Sequence, residues 1–175
     1  ATQFTEGMGP YRHLEFALDE NEPRERGRKA WPGRLVGIDA SGQYGVWASG
    51  DSVFFAAVDA PADSPPELVG THDGFFFQAL LSRRADLVAV GGGTRSIRVW
   101  SRGPDGRFAL EFDRVQTEMI QTVWGFDSEE TRVAYRYAPR SGASNQMALL
   151  DRRLPQAEPL LFRPDLQYLG APTFT

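Results

Sequence analysis

The sequence predicts an all-β chain built from repeated four-stranded antiparallel units, about three of them in a row. Two observations carry this. Similar stretches recur at a period in the forties, the spacing of a repeated supersecondary unit. The 175 residues also include 18 glycines and 12 prolines, which suit many short strands joined by turns better than long helices.

The N-terminal segment, 1–32, offers two short strands, Gln3–Thr5 and Tyr11–Leu18. The stretch 19–29 is almost wholly charged, cannot bury itself, and reads as a solvated linker. Residues 33–74 form the first unit, 75–117 the second and 118–170 the third. Each contains turn formers, then apolar strands. The turn positions Asp39, Ser82 and Asp127 stand 43 and 45 residues apart, and Val46, Val88 and Val133 stand 42 and 45 apart. Asp59, Ser101 and Asp151 each end an apolar run, and the long last interval comes from a longer loop at 136–145. The runs Val53–Val58, Leu87–Val90 and Met147–Leu150 are nearly continuously apolar, which means burial on both faces. A weaker fourth strand follows at Glu67–Thr71, Phe108–Phe112 and Leu160–Arg163. Four strands in 40–50 residues is the size of a β-propeller blade. Ala171–Thr175 reads as the first strand of a fourth blade, so the ring in this one chain is expected to be incomplete.

Particular residues carry a resemblance. Gly92-Gly-Thr-Arg-Ser-Ile-Arg-Val-Trp100 resembles the WD-repeat segment in which a glycine-rich turn leads into an Ile-Arg-Val-Trp-Asp strand, with Ser101 in place of the Asp. Asp127-Ser-Glu-Glu followed by Val133-Ala-Tyr135 resembles the TolB-like pattern. The Gly-His and Trp-Asp pairs of orthodox WD repeats are missing. The resemblance implies propeller blades over 33–175. Three blades make a poor ring, so it is expected to be finished by further sequence, by a protein partner or second copy, or by more of the N-terminal segment.

Composition excludes some chemistry. There are no cysteines, so disulfides, thiol catalysis and cysteine-ligated zinc are out. The net charge of −4 argues against a general nucleic-acid surface. No apolar run has the ~20 residues needed to span a bilayer as a helix, so no membrane role is expected. The expected setting is soluble, with the compartment open and the cytoplasm slightly favoured.

No catalytic constellation stands out. There is no Gly-x-Ser-x-Gly elbow, and Gly91-Gly-Gly-Thr94 lacks the Gly-Lys-Ser/Thr of a phosphate cradle. His13 and His72 are the only histidines; His72 reads as a turn residue between units. No catalytic residue, cofactor or metal is expected. Lysine occurs only at Lys29, whereas arginine is abundant. Arg83, Arg84, Arg95, Arg136 and Arg140, with Arg98 and Arg132, would make a face suited to a partner's carboxylates or phosphates if their loops share one rim. A coding bias toward arginine explains the count equally well. Phe76, within Phe75–Phe77, is the aromatic candidate for partner contact, since three consecutive aromatics place at least one on each strand face. The expected function is therefore a non-catalytic interaction or scaffold module that binds a protein partner through its loops. The alternatives are the propeller portion of a larger hydrolase or peptidase, and a lectin-like ligand-binding propeller.

Overall fold

Leu87–Gly91 reads Leu-Val-Ala-Val-Gly and every residue of it is buried, so this strand has protein on both faces. The architecture follows from giving it two neighbours. In the computed structural model of the chain, the described residues are 11–18, 23–31, 33–61, 63–73, 78–141, 145–154 and 156–161. The predicted strands Gln3–Thr5 and Ala171–Thr175 lie outside them.

Strands β1 (Tyr11–Leu18) and β2 (Pro23–Trp31) pair as an antiparallel ribbon. Most of the charged stretch expected to be a linker is thus a strand. Backbone pairing with β1 ties it down, and that pairing does not require an apolar sequence. A four-stranded sheet follows in the order β3 (Arg34–Ile38), β4 (Tyr44–Ser49), β5 (Ser52–Ala57), β6 (Glu67–Thr71). The remaining strands form one seven-stranded sheet: β7 (Gln78–Leu81), β8 (Leu87–Gly91), β9 (Thr94–Arg102), β10 (Phe108–Phe126), β11 (Arg132–Ala138), β12 (Gln146–Asp151) and β13 (Leu160–Leu161). Its β10 serves two units. Phe108–Val115 pairs with β9 as the outer strand of the second unit, and Met119–Phe126 pairs with β11 as the inner strand of the third. The link between them, Gln116 to Glu118, contains no glycine or proline to break it.

Each unit opens on the same turn. The backbone N–H of Asp39, Ser82 and Asp127 donates to the carbonyl five residues on, at Tyr44, Leu87 and Arg132. The residue three positions along is left-handed each time: Gly42 (φ 73°), Ala85 (φ 55°) and Glu130 (φ 57°). The first side chain caps the turn. Asp39 accepts from the Tyr44 N–H at 2.8 Å, Ser82 Oγ from Leu87 at 2.9 Å, and Asp127 from Thr131 and Arg132 at 2.7 and 3.0 Å. Burial alone would raise the Asp39 carboxyl, but its bonds from Ser41 and Tyr44 hold it below the usual carboxylate range.

These turns fix the repeat register and correct two equivalences read from sequence. Six residues after the turn start stand Gly45, Val88 and Val133, so Val46 is one position late and corresponds to Ala89 and Ala134. Val58, Arg102 and Arg152 match because their N–H groups donate to Gln43, Asp86 and Thr131. The equivalent of Ser101 and Asp151 is therefore Ala57, and Asp59 lies beyond the strand. The β4–β5 hairpin is the cause: it turns on Gly50 and Asp51 between the pair Ser49 and Ser52, while the other two hairpins are longer and displace the count.

Alternation then builds two seams. Val46, Val53, Phe55 and Val69 of the first unit pack on Val88, Val90 and Trp100 of the second. The second unit's other face, Ala89, Ile97, Val99 and Phe112, packs on Val123, Val133, Tyr135, Ala148 and Leu150 of the third. Face-to-face stacking of twisted four-stranded sheets is propeller geometry. Gly37 lets the inner strands close up, since a Cβ there would lie 2.3 Å from the Ala79 carbonyl oxygen.

The register yields a first test. Asp39→Ala and Asp127→Ala each remove charge-assisted turn caps and should lower stability by about 1.5–3 kcal/mol in urea titration. Asp59→Ala should be nearly neutral; an equal loss there would put the strand end back at Asp59.

Candidate functional site: rims and seams

The topology sorts the loops into two rims. The opening turns and the connections β5–β6, β9–β10 and β12–β13 gather at one end of the strands, as the bonds from Val58, Arg102 and Arg152 back to those turns show. The hairpins β4–β5, β8–β9 and β11–β12 gather at the other end. Arg83 and Arg84, in the second unit's opening turn, stand on the first rim. Arg95, at the start of β9, Arg136, late in β11, and Arg140, just beyond it, stand toward the second. A five-residue strand separates the rims by roughly 17 Å, so one carboxylate or phosphate cannot engage both groups. Phe76 lies outside the described residues.

The individual environments differ. Arg83 donates its backbone N–H to Glu130 at 2.7 Å and its guanidinium to the Ser128 carbonyl, joining two opening turns. Arg84 pairs with Asp86 at 2.8 Å and is otherwise exposed. Arg95 is exposed. Arg140 is exposed, and its backbone N–H donates to Glu118. Arg136 is half-buried, with its guanidinium 5.8 Å from the Trp124 ring centre.

Other arginines work inside the seams, which sequence reasoning missed. Arg98 of β9 donates to the Thr71 carbonyl at 2.9 Å and to Asp73 at 2.6 Å, both just leaving the first unit, and to its cross-strand partner Asp113 at 3.1 Å. Arg102 reaches Glu67 of β6 at 2.8 Å and lies 5.2 and 5.5 Å from the ring centres of Phe55 and Phe108. Phe55 also stacks on Tyr44, with centroids 5.3 Å apart. Arg152 occupies the repeat position of Arg102 and makes the equivalent reach, to Glu111 on the second unit's outer strand. The signal was legible: an arginine directly follows both Ser101 and Asp151. These pairs hold one blade to the next across partly dry ground, where a charge-assisted bond counts for more than at the surface.

His72, just beyond β6 on the way to the second unit, is fully buried beside the first seam, its backbone N–H donating to the Asp51 carbonyl at 2.9 Å. Burial, then the nearby Arg98 charge, pushes its pKa down to about 4, against opposing pulls from Asp73, Asp113 and Asp51. Among the described residues no group of three or more His, Asp or Glu side chains could hold a metal. Nor is any helix there long and apolar enough to cross a membrane.

No protein-family model matches the chain, and no curated protein does. Solved structures do match. Hydrazine synthase of Kuenenia stuttgartiensis is 10% identical, with a TM-score of 0.61 over 87% of this chain and 43% of that one. The β-propeller domain of Cps50 (Swd1) from Myceliophteria thermophila is 14% identical, with a TM-score of 0.56 over 89% and 52%. The tricorn protease is 10% identical, with a TM-score of 0.52 over 81% and 16%. The chain thus spans about half the length of the first two and far less of the third. The fold is all-β and that of an incomplete β-propeller.

The buried histidine gives a second test. Folded His72 titrates about 4 and the unfolded residue near 6.5, so the unfolded chain takes the proton first. Its contribution is complete above pH 6.5 and is lost as pH falls toward 4, up to about 3 kcal/mol. Urea midpoints measured across this range should fall for wild type and fall much less for His72→Gln; parallel curves would show that His72 is not held neutral.

Proposed function

We propose that the chain is a non-catalytic interaction module, a run of WD-repeat or TolB-like blades that binds a protein partner through its loops. The observation that carries this reading is the contrast between frame and rim. The three opening turns are superposable in hydrogen bonding and handedness, while the hairpins opposite them differ in length. Variable loops on a rigid repeated frame are where recognition residues collect. Arg95 and Arg140 stand exposed at those hairpins, Arg84 stands exposed on the opposite rim, and each can offer bidentate bonds to carboxylates. The Cps50 propeller domain supports the reading as a fold neighbour. The alternative, the non-catalytic propeller of a larger enzyme, draws support from hydrazine synthase and the tricorn protease, of which the chain covers 43% and 16%.

Charge reversal on each rim separates the readings. Chain carrying Arg84→Glu, or Arg95→Glu with Arg140→Glu, is expressed from its own gene and its associated proteins are quantified. One variant should reduce a specific partner at least tenfold, with circular dichroism unchanged. Retention of every partner by both variants would sink the loop-binding reading, and a catalytic domain in the same reading frame would favour the alternative.

A further inference from the structure

The repeat register identifies one blade face that breaks the pattern. In the first two units, the side of the sheet that looks toward the following unit is closed by it: Val46, Val53 and Phe55 in the first, Ala89, Ile97 and Val99 in the second. The same positions in the third unit are Ala134, Met147 and Leu149, which by alternation lie opposite the seam residues Val133, Ala148 and Leu150. Ala134 is buried, but Met147 and Leu149 are half-exposed, and Leu160, paired with Leu149, is 59% exposed. Trp124 and Arg136 share this face. Arg136 is not exposed, yet its Nε is shut off from solvent with no hydrogen-bond partner among the described residues. An unsatisfied, desolvated guanidinium nitrogen beside a half-covered apolar sheet is costly unless something supplies an acceptor.

We propose that this face docks the apolar face of a following four-stranded sheet, a further blade that brings a carboxylate to Arg136. Both internal seams set the precedent. Each combines aliphatic and aromatic contacts with arginine–carboxylate pairs: Arg98–Asp73 and Arg102–Glu67 at the first, Arg152–Glu111 and Arg83–Glu130 at the second. Arg83 already reaches forward, from the second unit to the third, as Arg136 would from the third onward. Ala171–Thr175, read from the sequence as the first strand of a fourth blade, supplies one strand of four, so the occupant is mainly sequence other than these 175 residues. A second copy docking head to tail through the other side of its first sheet, where Trp47 is 1% but Leu68 56% exposed, is the competing occupant, and the mass measured in the test below separates the two. Two third-unit faces brought together would set Arg136 against Arg136. The chain's cover of 43% and 52% of two solved neighbours leaves room for such blades. This surface is separate from the rim loops, so either proposal can fail alone.

The absence of cysteine makes the test clean. Single thiols are introduced by Met147→Cys, Leu149→Cys and, on the rim as control, Arg95→Cys, and maleimide labelling rates are compared in the purified chain and in cells expressing it from its own gene. All three should react in the purified chain. In cells the first two should slow at least tenfold, the control should not, and adding Arg136→Ala should restore labelling. In Arg136→Lys chain, carbodiimide coupling in cells should join the new amine to an Asp or Glu outside these 175 residues. Unchanged labelling in cells overturns the proposal. So does protection in purified monomer, which would mean that residues 162–175 cover the face. Protection with a doubled mass, or a crosslink within this sequence, would assign the face to a second copy and overturn it equally.

Discussion

Everything in this fold depends on strands that must be covered on both sides. β8 is the clearest case: Val88 and Val90 point into one seam and Ala89 into the other. A strand with two apolar faces cannot end a structure at a water surface without exposing one of them, which at about 25 cal/mol per Å² is a strong pressure toward stacking. Stacking in turn demands that every sheet keep its register, because a one-residue slip would swap the faces. The identical opening turns at Asp39, Ser82 and Asp127 provide that register by tying each first strand to its second through the same backbone and side-chain bonds.

Arginine acts here as an adhesive between sheets more than as a display of charge. Arg98, Arg102 and Arg152 place their guanidinium heads on acids of the preceding blade. Arg102 also covers the Phe55–Phe108 edge. The arrangement explains how a chain with one lysine and many arginines need not be a binder of anions: a planar fork can serve two acceptors and an aromatic face together, and an ammonium cannot.

Function is then left to what the frame does not consume. The hairpins of one rim differ in length from blade to blade while the opening turns of the other do not. The seven-stranded sheet, continuous through β10, joins the second and third blades by backbone hydrogen bonds. The outward face of the third blade repeats the composition of a seam, with Arg136 and Trp124 as its polar edge.

The sequence by itself determined the strand content, the four-strand unit and the places of the three turns, because period-two alternation and the Asp or Ser cap are local. It also marked Leu87–Val90 as buried on both sides. It did not determine the repeat register to the residue: Val46 was read one position late and Asp59 two, because residue types at about the right spacing do not fix the match, which the backbone bonds of the turns and strand ends do. Only the tertiary structure decided that β10 runs unbroken through two blades, that the charged 23–31 segment pairs as a strand, and that the candidate arginines divide between opposite rims. It alone also decided that His72 is buried and Arg98 turned inward. Those outcomes depend on which sheet lies against which, and that is settled by long-range packing that no stretch of neighbouring residues encodes.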